Sequence, residues 1–356
     1  MERGKRVTWV DTAKGWGMLA IILSHVMTGH PVSRWLYTFH VPLFFFLSGF
    51  LFRADRPWVN FWKGKVQKLL LPYFALALPI IPAEAALAGT SADFWKRVGE
   101  MSLEVLVQRR LWPIWFLACL FLLEILAYWL LRLVKKPVPL ALTAAAMGAA
   151  GILYAKAGLP VLPWNLDACF GVMPFFIGGY LLKDSPKALS WLQSGKTRPI
   201  VFGLLTAGNL AVAFTVVKGM TAGMDVFKNQ YGSPLWSYFG AFCGVGAVLL
   251  ASQWITAKPI RYLGRNSLIY FVWHQTPVIT AIYVCFPKLG IPMENFPNRL
   301  AMLGEKSLEL ALILLVLTLL NELLLRSKFR WALSQVGNQT SLTPLRAAIS
   351  MAVGLM

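Results

Sequence analysis

Long apolar runs separated by short polar joints organise this chain from one end to the other. A helix needs about 20 mostly apolar residues to cross the hydrocarbon core of a bilayer. Ten segments meet that requirement, near residues 14–30, 38–53, 69–88, 112–131, 139–155, 166–182, 199–217, 233–256, 267–286 and 306–325. The joints between them carry Pro, Gly or small clusters of charge. The pattern predicts an all-α polytopic integral membrane protein, a bundle of about ten transmembrane helices. Residues 1–330 are expected to form one transmembrane domain and 331–356 a short cytoplasmic tail.

Two segments need separate treatment. The first apolar run follows the basic stretch Met1–Arg6, as a secretory signal would, but it lacks an A-x-A-like cleavage site and His25 interrupts it, so an uncleaved first span is expected. The connection 89–111 sets Phe94, Val98, Met101 and Val105 at helical spacing. It reads either as an amphipathic helix lying on the outer surface or as a plain loop.

Composition narrows the class. Of 356 residues 57% are hydrophobic and 14% charged, and the mean hydropathy is +0.60. This excludes a soluble globular enzyme, and the apolar content excludes disorder. The net charge of +19 is spread in short clusters between apolar runs instead of one basic domain, so no nucleic-acid partner is expected. The clusters fix orientation instead. With both termini cytoplasmic, 22 of the 34 Lys and Arg fall inside and 11 outside, with Lys14 at the inner mouth of the first span. The four cysteines, Cys119, Cys169, Cys243 and Cys285, form no C-x-x-C pair and read as buried free thiols. No group of His, Cys and carboxylates has the spacing of a metal site.

Ionisable residues inside spans are costly, so each is a candidate for function or for an interhelical hydrogen bond. They are His25, His40, Glu84, Glu124, Asp167 and His274, with His30 in the first outer loop. In the first span Asp11, Lys14 and His25 are separated by 3 and 11 residues and so lie on one helical stripe. Lys14 and His25 are about 16 Å apart along the axis. A cation at the cytoplasmic mouth suits a phosphate-bearing ligand, and a deeper imidazole suits proton transfer or a structural hydrogen bond.

The order of several short motifs resembles membrane-bound acyltransferase family 3. They are Asp11-Thr12-Ala13-Lys14-Gly15 followed by His25; Phe39-His40-Val41-Pro42 running into Phe45-Phe46-Leu47-Ser48-Gly49-Phe50; and Lys65 and Lys68 ahead of Pro72-Tyr73. Then come Trp112-Pro-Ile-Trp115, Phe175-Phe176-Ile177-Gly178-Gly179-Tyr180, and Leu263-Gly264-Arg265-Asn266-Ser267 leading to His274. The likeness covers about residues 8 to 325 and is nearest to sugar O-acetylases without a fused esterase-like domain.

The resemblance implies an O-acyltransferase of a bacterial plasma membrane. It would move an acyl group, acetyl by preference, from cytoplasmic acyl-CoA to a hydroxyl of a cell-surface or lipid-linked saccharide. Lys14, Lys65, Lys68 and Arg265 are then the candidates for the phosphates of acetyl-CoA, with Lys where many members carry Arg. His25 is the candidate base, or the nucleophile through an acyl-histidine. His40 would orient the acceptor or His25, or serve only at the interface. Ser48 with Gly49 would approach the reacting group or pack helices closely. Asp11, Trp115 and His274 complete the substrate-contacting candidates, with an interfacial anchor as the other reading of Trp115. The competing function is a polysaccharide or glycolipid exporter, in which the polar stripe lines a path.

Overall fold

The computed structural model describes residues 7–87, 93–216, 224–290 and 299–329. The basic segment Met1–Arg6, the first residues of the 89–111 connection and the tail 331–356 lie outside the described residues. The helices in chain order are α1 (Thr8–Val26), α2 (Pro31–Tyr37), α3 (His40–Leu51), α4 (Trp58–Lys65), α5 (Leu71–Ala77), α6 (Ile80–Leu87), α7 (Phe94–Val107), α8 (Trp115–Leu133) and α9 (Pro137–Lys156). They continue with α10 (Leu166–Lys183), α11 (Pro186–Ser194), α12 (Arg198–Ala211), α13 (Pro234–Trp254), α14 (Lys258–Arg265), α15 (Ser267–Trp273), α16 (Thr280–Lys288) and α17 (Arg299–Arg326). The chain folds as an all-α polytopic membrane protein.

Eight helical stretches among the described residues are long and apolar enough to cross a bilayer: Trp58–Leu87, Trp115–Leu133, Pro137–Lys156, Pro163–Lys183, Arg198–Val216, Pro234–Trp254, Ser267–Lys288 and Ala301–Arg326. They correspond to eight of the ten expected segments. The other two differ in an informative way. The run expected at 14–30 is the helix Thr8–Val26, displaced toward the N-terminus because the polar residues Asp11 and Thr12 are buried inside protein instead of marking an aqueous edge. The run at 38–53 is the twelve-residue helix His40–Leu51, about 18 Å long, too short to cross about 30 Å by itself. The segment 89–111 contains a helix, α7, which resolves its two readings in favour of the amphipathic one.

By its contacts the chain divides into two compact units, whose bounds are Met1–Trp62 with Cys119–Arg265, and Lys63–Ala118 with Asn266–Met356. In the first unit two seams of close backbone packing dominate. Along α3 and α10, a methyl group on Gly49 would lie 1.8 Å from the Phe176 carbonyl oxygen, and one on Gly179 would lie 1.9 Å from that of Phe46. Only hydrogen fits at either place, and the fully buried rings of Phe45, Phe175 and Phe176 fill the space beside the seam. The second seam joins α1 to α14: a methyl on Gly264 would meet the Asp11 carbonyl oxygen at 1.7 Å, and one on Gly15 that of Ile260 at 2.0 Å. Small residues at such crossings let backbones approach where apolar burial gives no drive between helices in lipid.

Buried polar groups tie the rest of this unit together. The side chain of Asn209 on α12 accepts from the indole N–H of Trp35 at 2.7 Å and donates to the Thr38 hydroxyl and the Gly240 carbonyl, both at 2.8 Å. This fixes α2 and the residue after it. Asp167, at the start of α10, accepts from the Asn229 amide at 3.0 Å, and Asn229 in turn accepts from the Tyr231 hydroxyl at 2.7 Å. Asp167 is therefore the anchor of the segment that precedes α13. By contrast α9 buries only the stripe Leu140, Ala144, Gly148 and Gly151 and turns Val138, Leu142 and Leu153 outward, as a lipid-facing helix must.

In the second unit the indole of Trp273 donates to the Leu76 carbonyl at 3.2 Å, tying α15 to α5. The Tyr270 hydroxyl donates to Thr318 at 2.6 Å, whose own proton goes to the Leu314 carbonyl of α17. Tyr73 of α5 donates to the Val105 carbonyl of α7 and accepts from the amide of Gln108, which is completely buried.

Candidate active site

His25 occupies the last turn of α1. The helix stops just beyond it because the chain turns at Met27 and Gly29, the latter with φ 83°. The Thr28 hydroxyl donates to the His25 carbonyl at 2.6 Å and closes the end. The next residues form α2, capped by His30, whose Nδ1 accepts from the Val32 N–H at 3.2 Å. His30 is thus a helix cap.

Tyr37, the last residue of α2, stands between the two histidines. Its ring centroid is 6.1 Å from that of His25 and 4.7 Å from that of His40, both edge-on. His40 is buried, and its Nδ1 lies 2.6 Å from the Leu36 carbonyl oxygen. That bond places the ring proton on Nδ1 and leaves Nε2 as an acceptor. Burial, aided by the charge of Asp225, pushes the Tyr37 phenol up to about 12, so it keeps its proton throughout the neutral range. The sequence reasoning did not select Tyr37. Its only signal was a polar aromatic residue three positions before His40, and that gains meaning only when the α1–α2 turn brings it over His25.

At the other end of α1, the Asp11 carboxylate accepts from the Arg265 guanidinium at 3.1 Å. The two were expected in different roles, one toward substrate and one toward the donor, and the structure pairs them directly. Asp11 is buried and Arg265 partly exposed, so the pair tethers a cation at the end of α14 beside the turn that bears Lys14. Lys14 is half-buried, one helical turn from Asp11 and on the same face. It lies seven residues into α1.

Ser48 and Gly49 have definite local partners. The Ser48 hydroxyl donates to the Phe44 carbonyl at 2.8 Å, within its own helix, and Gly49 forms the seam against Phe176. In the second unit, Lys65 ends α4 and Lys68 falls in the π-helical turn Val66–Leu70. Trp115 is buried at the start of α8, edge-on to Phe116 at 6.2 Å. His274 is buried and its Nδ1 lies 2.8 Å from the Phe271 carbonyl oxygen. Among the described residues no three or more His, Cys, Asp or Glu side chains are grouped to hold a metal ion.

This geometry offers an imidazole supported by a protonated tyrosine and a second imidazole at one end of a buried helix, with a carboxylate-held guanidinium and a lysine toward the other. Such an arrangement is suited to moving a proton at one end and holding an anion at the other. No curated protein and no solved structure matches the chain significantly. A family model for an acyltransferase domain, acyltransferase family 3, matches residues 7–326, a stretch that takes in both ends of α1 and every helix from α1 to α17. The chain therefore belongs to the acyltransferase family 3 of multi-pass membrane proteins.

Proposed function

We propose that the protein is an O-acyltransferase of a bacterial plasma membrane. It transfers an acyl group, acetyl by preference, from cytoplasmic acyl-CoA to a hydroxyl of a cell-surface or lipid-linked saccharide. The observation that carries this reading is the cluster of His25, Tyr37 and His40 at the end of α1 opposite the Asp11–Arg265 pair. With the N-terminus inside, as the cation distribution favours, the cluster lies toward the outer face and Lys14 and Arg265 toward the cytoplasm.

In this reading Lys14 and Arg265 hold phosphates of the donor, Asp11 orients Arg265, and the pantetheine arm extends along α1 toward His25. Lys65 and Lys68 are assigned to the same phosphates on the family pattern alone. A ring nitrogen of His25 takes the proton of the acceptor hydroxyl as its oxygen attacks the thioester carbonyl. The tetrahedral intermediate collapses to the new ester, the C–S bond breaks, and the imidazolium returns its proton to the CoA thiolate. Tyr37, protonated, and His40, with its proton fixed on Nδ1, hold the imidazole and the acceptor in place. Trp115 and His274 are assigned to substrate contact, while Ser48 and Gly49 serve the approach of α3 to α10.

The test is mass spectrometry of surface glycans and glycolipids from cells expressing wild type or His25→Ala at matched membrane levels. An acetyl-sized increment present only with the wild type is expected. Equal acylation in both would remove His25 from the chemistry, and equal acylation with altered glycan export would replace the transferase by a translocase.

A further inference from the structure

Helix α7 and the turn after it form a second feature, separate from the chemistry assigned to His25. Its exposed face carries Trp95, Gly99, Leu103 and Leu106, which fall within one side of the helix. The three side chains are 79%, 64% and 57% exposed, while Val105 on the far side is buried. An apolar stripe exposed on a surface helix of a membrane protein, ended by a tryptophan beside Lys96 and Arg97, belongs in the interface between headgroups and acyl chains.

The turn that follows has an unusual backbone. Gln108, Arg110 and Trp112, none of them glycine, have φ of 46°, 57° and 43°. Such conformations persist only where the surroundings impose them. Here the buried Gln108 donates to Tyr73 at 2.8 Å and accepts from the Leu111 N–H at 2.7 Å, so the loop is pinned from beneath. Beside the turn lies a half-open cavity of about 490 Å³ lined by Leu103, Glu104, Val107, Arg109, Arg110 and Leu111. Three walls are apolar and continuous with the exposed stripe of α7. Two guanidinium groups and one carboxylate leave the lining with a net charge of +1.

We infer that this cavity binds the headgroup and first chain segment of a phosphodiester amphiphile, a lipid bearing one negative charge. The two arginines meet the phosphate oxygens, for which a guanidinium is geometrically suited. Glu104 offsets one cation, which matches a monoanionic diester and disfavours polyanions. The chain lies along Leu103, Val107 and Leu111 and leaves toward the bilayer over the exposed face of α7.

The experiment uses the full-length protein in a non-ionic maltoside detergent with a fluorescent phosphatidylglycerol as probe. Saturable binding is expected, displaced by unlabelled phosphatidylglycerol but by neither dioleoylglycerol nor inorganic phosphate. Displacement by dioleoylglycerol would remove the anion from the recognition, and displacement by phosphate alone would remove the amphiphile. R109Q/R110Q should weaken binding by about ten- to thirtyfold, and an unchanged affinity overturns the assignment. K96Q/R97Q, outside the cavity, should change it less than about threefold; an equal loss would mean that general surface charge is responsible. If the double arginine variant does not fold, R109Q alone, at the exposed arginine, carries the test, with a loss of about fivefold expected and an unchanged affinity overturning the assignment. Binding should also survive in His25→Ala, so this site and the acyl-transfer reading stand or fall separately.

Discussion

Asn209 offers the sharpest test of how the candidate site is held. Its side chain makes three buried hydrogen bonds, to Trp35, Thr38 and Gly240. Trp35 and Thr38 flank Leu36 and Tyr37, so one amide on α12 sets the position of the tyrosine between His25 and His40. Side-chain hydrogen bonds within membrane proteins average about 0.6 kcal/mol, so three give a floor of about 2 kcal/mol for Asn209→Ala. The Trp35 indole N–H would also lose its acceptor in a buried setting, which adds about 1–3 kcal/mol. The expected loss is therefore about 3–5 kcal/mol, measured by reversible unfolding in mixed SDS and non-ionic micelles. Asn209→Asp keeps an acceptor for Trp35 but loses both donated bonds and buries a charge, so it should be at least as unstable. Acyl transfer should fall further than the folded fraction does, because α2 is released before the rest of the unit. A change in stability below about 0.5 kcal/mol for Asn209→Ala, the range of an ordinary surface substitution, would refute the claim that this hub carries α2.

Other outcomes follow from the same structure. Gly49→Ala should destabilise by about 1–3 kcal/mol or more, since its methyl would have to displace the Phe176 carbonyl; a wild-type melting temperature would sink the account of the α3–α10 seam. Asp11→Asn should cost about 1–2 kcal/mol, the worth of a charged hydrogen bond discounted for an arginine that is a third exposed, and should weaken acyl-CoA binding in isothermal titration; if neither changes, the pair has no anchoring role. Lys14→Gln should raise the dissociation constant for acyl-CoA by about tenfold with little effect on the acceptor, and an effect on the acceptor alone would place Lys14 elsewhere. The Tyr37 phenol ionises at about 12 instead of its ordinary 10.0. In the unfolded chain it ionises first, so it removes stability as pH rises from about 10 through about 12. That part of the slope should vanish in Tyr37→Phe, and persistence of the slope would assign it to another group.

The spans were legible because the cost of leaving backbone or charge in hydrocarbon leaves a long, simple signature, and eight of them reappear nearly where the apolar runs lie. The first helix was misplaced by several residues for the opposite reason. A hydropathy window treats Asp11 and Thr12 as aqueous, whereas α14 packs against them and Arg265 satisfies the carboxylate. Similarly, the spacing of Asp11, Lys14 and His25 made a stripe visible, because helical periodicity is local. Tyr37 and Asn209 were not visible. Their meaning depends on a turn at Met27–His30 and on an amide 174 residues away from Trp35, and no local pattern encodes such a contact.

The pairing of Asp11 with Arg265 also has a consequence in time. The two residues are 254 positions apart, and a ribosome adds about 5–20 residues per second. The carboxylate of the first helix is thus made about 13 to 50 seconds before its guanidinium partner exists. During that interval α1 also lacks the glycine face of α14 against which its backbone fits. A nascent chain truncated anywhere before residue 265 would hold its first helix with an acidic group that still lacks that partner. Completion of the unit that carries His25 is therefore coupled to synthesis of nearly three quarters of the polypeptide, and the proposed chemistry must wait until residue 265 has been added.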